Sequence, residues 1–143
     1  MSERKAPPGS MASPLRVIIV DDSEETRISI QMMMSLVPDS EVVAFGQNGR
    51  EAIALARQHH PHIALIDVNM PEMDGLSAIE VIRQEQPNLI CIVISAEKDP
   101  PTLQRAVSVG AQGYLIKPVT AEQLLSVMER ASKAAQAMRV PSP

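Results

Sequence analysis

Five short apolar runs, at residues 15–20, 42–45, 63–66, 89–94 and 114–116, alternate with segments of helical periodicity, and this alternation limits the chain to very few folds. Four of the runs are continuous or β-branched instead of alternating apolar with polar, the pattern of parallel strands covered on both faces. Parallel neighbours cannot be joined by tight turns; each needs a crossover, usually a helix. The intervening segments supply them. Asp22 and Ser23 precede Glu24 and Glu25, a cap followed by acidic residues suited to a helix N-terminus. The helix that follows carries Ile28, Met32 and Leu36 on one stripe and Ile30, Met33 and Val37 on an adjacent one. Met32-Met33-Met34 reads as filling core and near-core gaps. A second helix, about residues 49–58, turns Ala52, Ile53 and Ala56 inward, and a third carries Leu76, Ile79 and Ile82. A fourth carries Leu103, Ala106 and Val107 and ends at Gly110. The last opens with the capping box Thr120-Ala121-Glu122-Gln123, followed by the stripe Leu124, Val127, Met128 and Ala131. Strand and helix alternate five times, which predicts a doubly wound α/β sandwich.

The length of 143 residues fits one domain with loose ends. Residues 1–14, polar and proline-rich, are expected to be a disordered tail or cloning remnant; 15–134 form the domain; 135–143 are a frayed helix end and linker. Phe45 and Tyr114 are the only aromatics, so the core must be aliphatic and methionine. A net charge of −4 with no Lys/Arg cluster gives no footprint for direct nucleic-acid binding. No apolar stretch approaches the roughly 20 residues of a membrane span, and the start lacks the apolar centre of a secretory signal. The expected location is cytoplasmic. Cys91, the only cysteine, lies within an apolar run and reads as a buried small hydrophobe. His59, His60 and His62, around Pro61, read as a solvated helix C-terminus, not a metal site.

In an open parallel sheet, chemistry gathers at the carboxyl ends of the strands. Here the first strand ends in Asp21-Asp22, the third in Asp67, the fourth in Ser95 and the fifth in Lys117-Pro118. Carboxylates converging on one rim repel: a like-charged pair at about 4 Å costs roughly 4 kcal/mol at an effective dielectric of 20. A hard divalent cation offsets that, and Mg²⁺ best suits carboxylates, a backbone carbonyl, waters and an incoming phosphoryl oxygen. Lys117 adds a mobile positive charge and Ser95 a hydroxyl donor. Phosphoryl transfer asks for this equipment: positioning, charge neutralisation and an in-line nucleophile.

These residues carry a resemblance. The chain is similar to the receiver domain of two-component response regulators over about residues 15–131. The match rests on Val20-Asp21-Asp22, on Ile66-Asp67-Val68-Asn69-Met70-Pro71, on Met73-Asp74-Gly75, on Ser95-Ala96 and on Lys117-Pro118. The resemblance implies a (βα)5 flavodoxin-like fold with five parallel strands in the order 2-1-3-4-5. It implies that Asp67 takes a phosphoryl group from a partner histidine kinase or phosphotransfer protein. Asp22, Asp67 and the Asn69 carbonyl would hold Mg²⁺, with Asp21 acting mainly through a bound water. Ser95, Ala96 and Lys117 would meet the phosphoryl oxygens, Tyr114 would be a switch aromatic, and the bond before Pro118 would be cis. The face of the fourth helix, fifth strand and fifth helix would change its affinity for partners, with homodimerisation one outcome. Asn69 and Glu97, flanking the site, would tune dephosphorylation.

Three departures stand out: Ser95 replaces the commoner threonine, Val119 stands where phenylalanine is frequent, and residues 110–114 lack the paired aspartates of one large DNA-binding subfamily. Two other functions compete. An aspartyl-nucleophile phosphatase generally carries Asp-x-Asp after its first core strand, whereas Asp67-Val68-Asn69 follows the third and ends in asparagine. A degenerate receiver serving only as a binding module would not need Asp22, Asp67, Ser95 and Lys117 together. Beyond residue 131 no output module is legible, so a stand-alone regulator and a receiver within a longer protein both stay open.

Overall fold

The computed structural model describes residues 13–139. In chain order the elements are β1 (Leu15–Val20), α1 (Glu24–Met34), β2 (Ser40–Gly46), α2 (Gly49–His59), β3 (Ile63–Asp67), α3 (Gly75–Glu85), β4 (Ile90–Ser95), α4 (Pro100–Ser108), β5 (Gly113–Ile116) and α5 (Ala121–Arg139). The five strands form one parallel sheet in the order β2-β1-β3-β4-β5, the expected flavodoxin-like topology. The order turns back at β1 and β3, the topological switch point where open α/β sheets place their ligands.

Successive strand side chains point to opposite faces, which divides the core into two layers. Val17, Ile19, Leu65 and Ile92 meet Ile30 and Met34 of α1 and Leu124 and Met128 of α5. On the opposite face Ile18, Val20, Ile66 and Val93 meet Ala52 and Ala56 of α2 with Leu76, Ile79 and Ile82 of α3. Every residue of β3 and β4 is buried, which explains why their runs are continuous and not alternating. Cys91 belongs to this core, fully buried as read.

Two helices differ from the reading of their stripes. In α1 the stripe around Ile30 faces the sheet, joined by Met34 and Val37, while Ile28, Met32 and Leu36 are exposed. Of the three methionines Met34 is buried, Met33 packs against the core margin, and Met32 lies in solvent. In α4 only Ala106 is buried; Val107 is 74% exposed. At the other end α5 runs unbroken through residues 135–139, where the sequence reading has it fray, and Ala135 packs into the core. Residues 1–12 and 140–143, read as tail and linker, lie outside the described residues. Among the described residues no helix is long and apolar enough to cross a membrane.

Candidate functional site

The polar residues at the strand ends converge. Asp21, directly after β1, and Asp67, the last residue of β3, are buried, and Ser95, the last of β4, is fully so. Among the described residues these are the only polar residues buried as a whole, in a core otherwise aliphatic. Asp22 stands exposed beside them. One carboxylate oxygen from each of Asp21, Asp22 and Asp67 can be chosen so that all three lie within 4.8 Å of one another.

Local structure fixes each group. The Asp21 amide donates to the Gly46 carbonyl at 3.0 Å, holding the turn after β1 to the end of β2. Asp21 Oδ1 accepts from the Ser23 amide at 2.9 Å, and the Arg27 guanidinium donates to the Asp21 carbonyl at 2.6 Å. Asp67 is followed by Val68, whose amide bonds the Ile94 carbonyl at 2.9 Å, and the Asn69 amide faces the Asp67 carboxylate. Lys117 follows β5; its amide donates to the Ser95 carbonyl at 2.9 Å, and the Lys117–Pro118 peptide is cis.

Lys117 Nζ bridges the two buried carboxylates, 3.2 Å from Asp67 Oδ2 and 3.0 Å from Asp21 Oδ2. The Asp67 contact is a hydrogen bond, and the contact to the fully buried Asp21 Oδ2 is a close ion pair. Burial pushes the Asp67 carboxyl up to about 6, the charge of Asp21 pushes the same way, and Lys117 offsets only part of it. Burial acts to lower the Lys117 pKa, but Asp21 and Asp67 together outweigh it and hold the ammonium above its ordinary value. One lysine therefore leaves the carboxylates undercompensated. Three carboxylates gathered on one rim, with a single lysine between the two buried ones, are a set of hard oxygen donors that fits a divalent cation of the Mg²⁺ type.

Around the mouth, Glu97 is a hub. Its amide donates to Ser95 Oγ at 2.9 Å, its carboxylate accepts from the Asn69 side-chain amide at 3.3 Å, and its carbonyl accepts from the Tyr114 hydroxyl at 2.8 Å. The Tyr114 ring is partly buried against the core layer shared by α2 and α3. Ala96 is exposed at the rim between Ser95 and Glu97. All the residues singled out at the strand ends thus share one rim. Sequence reasoning missed Arg27 and the role of Gly75. A Cβ on Gly75 would stand 1.9 Å from the Asp67 carbonyl oxygen, so the start of α3 touches the backbone of the central carboxylate. The Asp74-Gly75 pair opening a helix was the available signal for Gly75; no local pattern announces Arg27.

The fold and the site define a class of protein. The response regulator receiver domain family matches residues 17–129, and the chain belongs to that family. It is 30% identical over 115 residues to the transcriptional regulatory protein DegU of Brevibacillus brevis, covering 80% of this chain and 49% of the relative. It is 40% identical over 107 residues to a protein-glutamate methylesterase/protein-glutamine glutaminase of Carboxydothermus hydrogenoformans, covering 74% of this chain and 30% of the relative. Among solved structures, the signal receiver domain of the response regulator NarL from Mycobacterium tuberculosis superposes with a TM-score of 0.78 at 30% identity, over 84% of this chain and 98% of that one. The chain therefore spans about half or less of these two longer relatives, but nearly all of the isolated receiver. Receiver domains are signalling switches and generally use Mg²⁺ at an acidic site of this kind.

Proposed function

We propose that this chain is a phosphoacceptor switch in which Asp67 takes a phosphoryl group from a histidine kinase or phosphotransfer protein. The observation that carries the reading is Asp67 itself: a carboxylate 3% exposed at the end of β3, 3.2 Å from a lysine ammonium and clustered with Asp21 and Asp22. A carboxylate oxygen of Asp67 attacks phosphorus in line. The O–P bond forms as the N–P bond of the donor phosphohistidine breaks, and the electron pair stays on the imidazole nitrogen. Lys117 keeps its proton and moves from the carboxylates toward the phosphoryl oxygens. Ser95 Oγ donates to the same group, and the Ala96 amide is the adjoining backbone donor. Asp22, Asp67 and the Asn69 carbonyl would hold Mg²⁺, with Asp21 acting through a bound water; the ion supplies charge neutralisation for the transferring group.

Drawing Ser95 toward a phosphate pulls on Glu97, which Ser95 contacts, and through Glu97 on Tyr114. The α4–β5–α5 face would change with them, altering affinity for a partner or a second copy. This is a population shift, so the phosphate must interact better with one arrangement than with the other. Asn69 and Glu97, joined across the mouth, would set the rate of dephosphorylation.

Incubation with Mg²⁺ and acetyl phosphate, followed by intact-mass measurement, tests the reading. An adduct of about 80 Da, one phosphoryl group, is expected in the wild type and not in Asp67→Asn. A wild type that forms no adduct would leave a phosphorylation-independent binding module, and rapid turnover of external phosphoesters would favour a phosphatase.

A further inference from the structure

Helix α4 is held by few contacts. Ala106 is its only buried residue, Val107 is 74% exposed, and Leu103 is covered only in part. Its last turn, however, reaches across to α3. Arg105 Nη2 donates to Ser77 Oγ at 3.0 Å, and Nη1 lies 3.7 Å from Asp74 Oδ1. Ser77 Oγ in turn donates to Asp74 Oδ2 at 2.9 Å, and Asp74 Oδ1 caps α3 by accepting from the Ser77 amide at 2.9 Å. The residue after the cap is Gly75, which lies against the Asp67 carbonyl. A continuous path of contacts therefore runs from α4 through the cap of α3 to the backbone of the central carboxylate.

We infer that Arg105 is a positioning residue that tethers α4 to the N-terminal cap of α3 and so opposes movement of α4 when Asp67 is modified. The inference rests on the phosphoacceptor reading and deepens it by naming what resists the switch. The Arg105 and Asp74 side chains are 49% and 39% exposed, so the tether is weak. It matters because α4 has so little else to hold it. By linkage, a contact made only in the unswitched arrangement lowers the affinity of the site for any ligand that favours the switched one, by the same factor.

The test uses Arg105→Gln and Ser77→Ala, singly and together, with two readouts. Hydrogen exchange of the α4 amides in the unliganded protein should rise about two- to fivefold in either variant, with α5 amides unchanged. The double variant should show little beyond either single one. Calorimetric titration with beryllofluoride and Mg²⁺, a phosphoryl mimic, should show binding to Arg105→Gln tighter by about the same factor, a change that a merely structural arginine would not produce. Unchanged exchange in α4 overturns the tether. Unchanged or weaker beryllofluoride binding in the variant, with faster exchange, overturns the coupling to the site. A wild type that binds no beryllofluoride overturns the phosphoacceptor reading and the coupling with it, while the exchange measurement still decides the tether.

Discussion

The Cα of Gly75 lies so close to Asp67 that a methyl group there would stand 1.9 Å from the Asp67 carbonyl oxygen. The contact is between backbones, so neither side can yield by changing a rotamer. It is reinforced by the Gly75 amide, which donates to the Val68 carbonyl at 2.9 Å. Gly75→Ala must push α3 away from the end of β3, and overpacking of this kind costs about 1–3 kcal/mol. Urea denaturation should show that loss, and the rate of adduct formation with acetyl phosphate should fall because Asp67 is displaced. An alanine variant with unchanged midpoint and unchanged rate would show that the two backbones are free to separate.

Asp67 should weaken the fold it serves. Its carboxyl is pushed from an ordinary 3.8 to about 6, mainly by burial. Below the lower value folded and unfolded chains both hold the proton, and the group contributes nothing to the pH dependence. Between the two values the unfolded chain ionises while the folded one keeps its proton, so stability falls as pH rises. Well above about 6 the loss is complete, of the order of 3 kcal/mol. Without divalent cations, Asp67→Asn should therefore be more stable than the wild type at pH 7, with the difference shrinking toward pH 4. Added Mg²⁺ should stabilise the wild type by mass action and narrow the gap. Denaturation midpoints across pH 4–7 in a chelating buffer check this; an asparagine variant less stable at pH 7 would mean that Lys117 compensates the ionised carboxylate fully.

The rotation of α1 has its own test. Met32 is 68% exposed and Ile30 fully buried, although the sequence gives both the same apolar character. Met32→Lys should change stability by less than about 0.5 kcal/mol, whereas Ile30→Ala should cost about 2–5 kcal/mol. Equal losses in chemical denaturation would place Met32 in the core after all.

The strand ends were legible because they are local. Asp21, Asp67, Ser95 and Lys117 each follow an apolar run directly, and a parallel sheet brings the ends of its strands to one rim. The choice between the Ile28 and Ile30 stripes was not legible, because two equally apolar faces carry no preference until α5 and the sheet decide which is covered. The same holds for α4, where one buried alanine suffices to seat the helix and the larger Leu103 and Val107 stay outside. Contacts such as Arg27 to the Asp21 carbonyl, or Arg105 to Ser77, join a long flexible side chain to a neighbour fixed by the tertiary structure, and no spacing rule announces them.

His60, in the left-handed region, and Glu72 both have positive φ, 45° and 71°, which favours glycine. His60 closes α2: its amide donates to the Ala56 carbonyl at 3.0 Å and its carbonyl accepts from Arg16 Nη2 at 2.8 Å. Glu72 sits at the apex of a three-residue turn in which the Met73 amide reaches the Pro71 carbonyl at 2.7 Å. The His60 bonds use its backbone atoms and the bond across Glu72 joins its two neighbours, so either side chain can be removed without breaking them. The left-handed conformation costs an L residue roughly 1–2 kcal/mol, and the extra freedom of glycine in the unfolded chain offsets roughly 0.5–1 of that. His60→Gly and Glu72→Gly should therefore each stabilise the protein by up to about 1 kcal/mol, visible as a higher urea midpoint at unchanged slope. The two should differ in function. His60 lies at the end of the sheet away from Asp67, so its variant should accept phosphate at the wild-type rate. Glu72 lies in the loop between Asp67 and α3, and freeing that loop should slow adduct formation while the fold gains stability. Loss of stability in both variants would mean that their side chains contribute more than the conformation costs.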